Sequence, residues 1–226
     1  AIPVSHEQAA IEDAAPMSRF MVKDIPPMGY RTFVASNEKV QEPELTVDKQ
    51  SGIIESPFFR ATLDAAKGQI LSLVDKRTGN ELVDSKAPQG FGQYFYERFD
   101  YRHISEWIDQ SLYPQYKAHR FAFTAYDMPQ DVPYRSAFPE NMELSVEKSA
   151  IDVRATMTGV LHGPGEPQRI SVSLILSGMK PTVDIELSWQ KQPDSWPETA
   201  WLCLPFKVDN PKFRLGRLGH ESGCFC

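Results

Sequence analysis

The sequence predicts a mainly β protein, an antiparallel β-sandwich with one short helix inside a long excursion. Short segments rich in β-branched and aromatic residues recur along the chain, and several of them alternate between apolar and polar side chains. Glycine or proline separates most of these segments. With 18 prolines and 13 glycines among 226 residues, the chain has the turn residues that many short strands require. The short spacing between strands favours antiparallel neighbours.

The first part of the chain contains an N-terminal segment and the first expected strands of the β domain. Residues 1–24 have mixed polarity and are interpreted as a tail or as the remnant of an upstream helical region, which leaves 25–226 as the β-sandwich domain. The stretch 24–36 begins with prolines and a glycine and continues with aromatic and β-branched residues suited to a strand. A further short strand is expected around Leu45 and Val47.

The next segment predicts a β-hairpin. Alternation places Phe59, Ala61 and Leu63 on one face of a half-buried strand, with polar side chains between them. Gly68 supplies the turn because glycine tolerates a positive φ angle. The strand returns over 70–74, and a second turn rich in charge follows it.

Residues 84–135 break this rhythm and contain many aromatic side chains without clean alternation. Ile104, Trp107, Ile108 and Leu112 follow helical spacing and predict a short amphipathic helix inside this excursion. Excursions of such length in compact domains are often functional, so the aromatic segment is a candidate binding platform.

The second half of the chain returns to strands. Five segments with strand character follow one another, and glycine- and proline-bearing turns separate several of them: 142–149, 150–161, 168–178, 182–190 and 200–208. This regular spacing is typical of a β-sandwich.

Charge and hydropathy exclude two classes of partner. The net charge is -6 and the isoelectric point is near 5.4, while the lysines and arginines are scattered. A nucleic-acid backbone requires clustered positive charge, so a nucleic-acid partner is not expected. A membrane partner is not expected either, because no apolar run reaches the roughly 18 to 20 residues that a membrane-spanning helix needs.

No familiar catalytic motif is present. The five histidines are dispersed along the chain, at His6, His103, His119, His162 and His220. Neither HExxH nor a CxxC pair occurs, so the sequence predicts no metal site. Because GxSxG and P-loop motifs are also absent, we predict no catalytic residues in this chain.

Carbohydrate contact is one candidate role of the aromatic segment, because a tryptophan or tyrosine combines an apolar ring with a polar tip, while core packing and inter-domain contact are the alternatives. The candidate carbohydrate-binding residues are Tyr101, His103, Trp107 and Trp196. Asp194 and Glu198 flank Trp196 and are a carboxylate pair of the kind that acid-base catalysis uses. A solvated turn is the stronger interpretation of that pair, since Asp and Glu are mostly exposed.

Two long segments resemble a known family. "FFRATLDAAKGQILSLVDKRTGNELVD" at 58–84 is similar to the opening of the large C-terminal β-sandwich of glycoside hydrolase family 38, the α-mannosidases and their relatives. "VDIELSWQKQPDSWPETAWLCLPFKVDNPKFRLGRLG" at 183–219 is similar to a later part of that sandwich, and "IPPMGYRTFV" at 25–34 to the strand before it. The aromatic excursion is not a general feature of the family and fits a divergent branch.

The resemblance implies a galactose-mutarotase-like supersandwich, truncated here at its C-terminal end. In the family, the zinc ligands and the carboxylate nucleophile belong to an N-terminal barrel and an adjoining helical region. The resemblance therefore implies an accessory module that packs on the N-terminal catalytic domain of the full-length protein. Zinc is expected only in that catalytic domain, and no cofactor is expected in this chain.

Two alternatives remain open. A self-sufficient mutarotase, epimerase or lyase would need an acid and a base on one face, for which His103 or His162 with Glu198 are the candidates. A stand-alone carbohydrate-binding module would instead rely on exposed aromatic rings such as Trp107 and Trp196.

Overall fold

The structure is a computed structural model, and it describes residues 4–7, 17–20, 22, 25–34, 41–111, 131–162, 168–191, 196–217 and 220–224. Within these ranges the protein is mainly β, as the sequence predicted, with antiparallel strands and one helix. None of the described segments forms a helix that is long and apolar enough to cross a lipid bilayer.

The strands and the helix follow the chain in this order. The first eight strands are β1 Val4–Glu7, β2 Met17–Phe20, β3 Thr46–Asp48, β4 Ile53–Glu55, β5 Phe59–Asp64, β6 Gln69–Asp75, β7 Asn80–Glu81 and β8 Gln93–Arg98. The helix α1 is Tyr101–Ser111. The remaining strands are β9 Arg135–Ala137, β10 Glu143–Lys148, β11 Asp152–Leu161, β12 Gln168–Ser177, β13 Val183–Gln190, β14 Glu198–Cys203, β15 Phe213–Arg217 and β16 His220–Cys224.

Three sheets make up the main body of the described structure. One has five strands in the order β3-β4-β5-β6-β7, and another has four in the order β10-β11-β12-β13. The third has three strands in the order β14-β8-β9. Two separate hairpins, β1-β2 and β15-β16, complete the set, and all pairings between these strands are antiparallel.

The five-stranded and four-stranded sheets share one apolar core. Alternation along β12 directs Ile170, Val172, Leu174 and Leu176 into this core, where they lie with buried residues of β5 and β6. A shared core between two antiparallel sheets is the arrangement of a β-sandwich.

The β5-β6 hairpin forms as predicted. Phe59, Ala61 and Leu63 are all buried, and Gly68 in the connecting turn has a φ of 60°. A Cβ atom at Gly68 would lie 2.5 Å from the sulfur of Met142, so the turn combines a left-handed backbone with close packing. The strand expected near Leu45 and Val47 is also present, as β3.

Glu81 on β7, after the turn that follows β6, binds this turn to the sheet through hydrogen bonds. Its carboxylate accepts hydrogen bonds from the Ser72 hydroxyl at 2.5 Å and from the backbone amides of Leu73 and Val83 at 2.9 Å each. Partial burial by itself raises the pKa of Glu81, but these hydrogen bonds outweigh it and hold the pKa below its ordinary value.

The three-stranded sheet adjoins the five-stranded sheet through two short antiparallel bridges, Ile70 to Phe91 and Val83 to Phe206. Helix α1 then begins one residue after Asp100, whose carboxylate accepts the backbone N–H of His103 at 2.9 Å and so caps the helix. The predicted helix is confirmed, although Leu112 lies outside the described residues.

The N-terminal part contains a short hairpin and a stretch without regular structure. Strands β1 and β2 pair from Val4 with Phe20 to Glu7 with Met17, within the segment interpreted as a tail or a helical remnant. The stretch 25–34, expected to form a strand, has no regular structure and is exposed. Strand propensity alone is insufficient there, because no described strand pairs with this stretch and its residues are exposed.

Candidate functional site

The register of the three-stranded sheet creates a face that we call the Glu97 face. Glu97 lies opposite Thr199 on β14 and Ser136 on β9, and Phe95 lies opposite Trp201. Directly opposed residues share a face of an antiparallel sheet, and every second residue of a strand joins them. This face is more open than the opposite one, because Trp201 is 51% exposed while Tyr94 and Tyr96 are buried.

Glu97 is the centre of this face. Its two carboxylate oxygens accept hydrogen bonds from the Tyr134 hydroxyl at 2.6 Å and from the Trp201 indole N–H at 2.8 Å. The bond to Glu97 is the main reason why the pKa of Tyr134 is raised. Both donors are neutral, and the Glu97 carboxylate lies between two partly exposed aromatic rings.

The neighbouring aromatic residues extend this face. Phe95 and Phe138 are stacked with ring centroids 4.5 Å apart, and the His103 ring lies 4.8 Å from that of Tyr134. Cys203 is half-buried, and burial together with the charge of Glu97 raises the pKa of its thiol. The arrangement offers flat rings and one carboxylate, with no activated nucleophile at Cys203.

The opposite face of the sheet has a different polar group. Glu198 accepts the hydroxyl of the buried Tyr96 and forms an ion pair with Lys191. Burial, with a smaller contribution from the charge of Glu198, raises the pKa of Tyr94 to about 12. Glu198 thus has two partners, one buried tyrosine and one lysine, and lies at the border between the core and solvent.

His103, one of the predicted site residues, lies on α1 next to its capping residue. Its Nδ1 atom is 2.7 Å from Asp100 Oδ1, and its ring also lies near Phe99. The backbone N–H of His103 is the largest of the effects that lower the pKa of Asp100. Because of its contact with Tyr134, His103 lies at the border of the Glu97 face.

The other predicted site residues are more dispersed. Trp196 donates its indole N–H to the backbone oxygen of Phe99 at 2.7 Å, and the Arg98 guanidinium lies over its ring at 5.1 Å. Tyr101 is half-buried at the start of α1. Trp107, later in the same helix, is exposed. The structure therefore brings His103 to the Glu97 face and connects Trp196 to Arg98.

Sequence reasoning missed the three residues that form the centre of the site. Trp201 and Glu97 are 104 residues apart, and Tyr134 and Glu97 are 37 apart, so only the strand register brings them together. The available signal was the alternation of "GQYFYERF", which places Phe95 and Glu97 on one side and Tyr94 and Tyr96 on the other.

The candidate acid-base residues have separate partners. Glu198 contacts Tyr96 and Lys191, His103 contacts Asp100, and His162 lines a surface cavity with Ser136. Asp194, the other half of the carboxylate pair, lies outside the described residues. Among the residues that the structure describes, no three of the His, Cys, Asp and Glu side chains form a group that could hold a metal ion.

No protein-family model matches the chain, and no curated protein matches it significantly.

Proposed function

We propose that this chain is an accessory, non-catalytic β-sandwich module of a glycoside hydrolase related to family 38, and that it contacts carbohydrate through the Glu97 face. The sequence resemblance at 58–84 and 183–219 supports the family, and the mainly β architecture is compatible with it. The catalytic residues and the zinc would belong to the N-terminal catalytic domain, against which this module would pack.

The observation that carries the proposed sugar contact is the placement of Glu97 between Trp201 and Tyr134. A pyranose has C–H groups that pack on a flat aromatic ring and hydroxyl groups at its edge that donate hydrogen bonds. A carboxylate has about four acceptor positions, so the two bonds that Glu97 accepts leave others open to ligand hydroxyls. The Glu97 face combines both requirements within one sheet.

Preorganisation adds to the affinity that such a face would have. Trp201 and Tyr134 are each anchored by a hydrogen bond to the same carboxylate, so their rings lose little conformational freedom when a sugar binds. The role as an accessory module and the role in sugar contact are compatible, since a face next to a catalytic domain would hold part of an extended substrate.

The experiment is calorimetric titration of the chain with mannose and short mannosides. We expect binding by the wild-type protein and a loss of about tenfold or more in Trp201→Ala, because aromatic residues dominate the energetics of such contacts. Glu97→Gln should also weaken binding, since it removes the charge-assisted acceptor. Turnover of aryl mannosides is followed in the same samples.

Trp189→Ala is the matched control, because Trp189 is 48% exposed but lies on β13 in another sheet. Its affinity for mannosides should equal that of the wild type. Equal affinities in the wild type and Trp201→Ala would contradict the Glu97 face as the sugar site. Turnover by the chain alone would contradict the accessory role and favour a self-sufficient sugar enzyme.

A further inference from the structure

A row of three charged residues crosses the three-stranded sheet on the side opposite to the Glu97 face. Arg98 on β8 lies directly opposite Glu198 on β14 and directly opposite Arg135 on β9. Opposed residues of an antiparallel pair have Cβ atoms about 5 Å apart on the same face, so the two arginine side chains start as near neighbours. Like charges in such a position destabilise a sheet unless something compensates them.

Arg98 is held in place without its charge being neutralised. Its guanidinium lies 5.1 Å from the centre of the Trp196 ring, and the Trp196 indole is fixed by its bond to the Phe99 oxygen. The Nε atom of Arg98 is buried and has no hydrogen-bond partner in the structure. A guanidinium stacked on an aromatic ring can still donate hydrogen bonds from the two Nη groups at its outer end.

No described carboxylate forms a salt bridge with either arginine. The opposing Glu198 is bound by Tyr96 and Lys191. The salt bridges between described residues use other cations: Arg60, Lys76, Arg77, Arg102, His103, Arg154 and Lys191. Neither Arg98 nor Arg135 therefore forms a salt bridge with another described residue, in a protein whose net charge is -6.

We propose that Arg98 and Arg135 form a binding site for one oxyanion, the carboxylate or the phosphate of a small ligand. Arg98 is half-buried and stacked, so it supplies a fixed fork of donors, while the exposed Arg135 approaches the anion from solvent. Guanidinium groups match both anions because two parallel N–H groups bind two oxygens at once. This site lies on the other face from Glu97 and does not depend on the proposed sugar contact.

The test is thermal unfolding and calorimetric titration of the whole chain with inorganic phosphate, glucuronate and neutral glucose, each up to about 10 mM, which occupies a site of millimolar affinity. We expect phosphate or glucuronate to raise the Tm and glucose to have no effect through this site. Arg135→Gln should lose about tenfold or more of the anion affinity, while its Tm without ligand stays the same or rises. Arg135→Lys, which keeps the charge but not the fork, should lose an intermediate amount.

Arg169→Gln is the matched control, because Arg169 is an exposed arginine at the start of β12 in another sheet. It should bind the anions as the wild type does. A response to phosphate identifies a site for phosphate groups, and a response to glucuronate alone identifies one for sugar acids. Absence of both responses, or an equal loss in Arg169→Gln, would overturn the proposal, and neither result bears on binding of neutral mannosides.

Discussion

The four-stranded sheet and the three-stranded sheet differ in how their polar side chains are hydrogen-bonded. On the side of the four-stranded sheet that faces away from the core, hydroxyl groups pair across strands, Thr156 with Ser173 at 2.8 Å and Thr158 with Ser171 at 3.2 Å. In the three-stranded sheet, Glu97 is bound by two neutral donors and Arg98 has a buried Nε without a partner. The hydroxyl groups of the first sheet satisfy one another, whereas in the second sheet the Glu97 carboxylate keeps further acceptor positions and the buried Nε donor of Arg98 is unsatisfied.

The difference supports placing the proposed ligand contacts on the three-stranded sheet rather than on the four-stranded sheet. The four-stranded sheet covers the shared core, so an unpaired polar group there would reduce the free energy of unfolding. The three-stranded sheet joins this body through Phe91 and Phe206 and buries mainly the aromatic residues Tyr94 and Tyr96. Its remaining positions carry less of the core, which is compatible with the proposed binding role.

The largest expected effect is the loss in free energy of unfolding when a core side chain is truncated. Leu174→Ala removes a side chain that is 1% exposed, and we expect it to lower the free energy of unfolding by about 3 kcal/mol through lost burial and a cavity. Leu71→Ala, at a leucine of β6 that is 48% exposed, should cost less than about 1 kcal/mol. Urea unfolding measures both. Similar losses in the two variants would show that the core is not where the structure places it.

Two tyrosines that both donate to a carboxylate sharpen the comparison within the three-stranded sheet. Tyr96 is 1% exposed and its hydroxyl donates a hydrogen bond to Glu198. Tyr134 is 36% exposed and its hydroxyl donates to Glu97. Tyr96→Phe should destabilise the protein by about 1 kcal/mol or slightly more, since no water replaces the lost hydroxyl. Tyr134→Phe should cost less than about 0.5 kcal/mol by chemical denaturation. A larger loss in Tyr134→Phe than in Tyr96→Phe would mean that the Glu97 face contributes more to stability than the buried face does.

A smaller effect is expected from pH at Glu81, in the five-stranded sheet. Its pKa is lower in the folded protein than the ordinary value of 4.5, so its contribution to stability is present above that value and is lost as the pH falls through the folded pKa. Denaturation midpoints of the wild type and Glu81→Gln should differ at pH 7 and converge as the pH falls below about 4.5. A difference that stays constant over this range would show that Glu81 is not held by its hydrogen bonds as an anion.

Local patterns predicted most strands of the large sheets, although not β4, and they did not predict the candidate site. The alternation at Phe59, Ala61 and Leu63 and the glycine at Gly68 are local signals, and both fixed the hairpin correctly. Trp201 was recognised within a strand segment, but its contact with Glu97 depends on a register between strands about a hundred residues apart. That register follows from the packing of whole sheets, which no short segment specifies.

The order of the four-stranded sheet has a consequence for self-association. Its described outermost strands are β10 and β13, and both carry exposed carboxylates, Glu143 and Glu147 on β10 and Asp184 on β13. If a second copy extended the sheet at either edge, it would bring further carboxylates beside these side chains, and repulsion would oppose the new pairing. The protein should therefore resist edge-to-edge aggregation at neutral pH and become more prone to it when acid neutralises these groups or salt screens them.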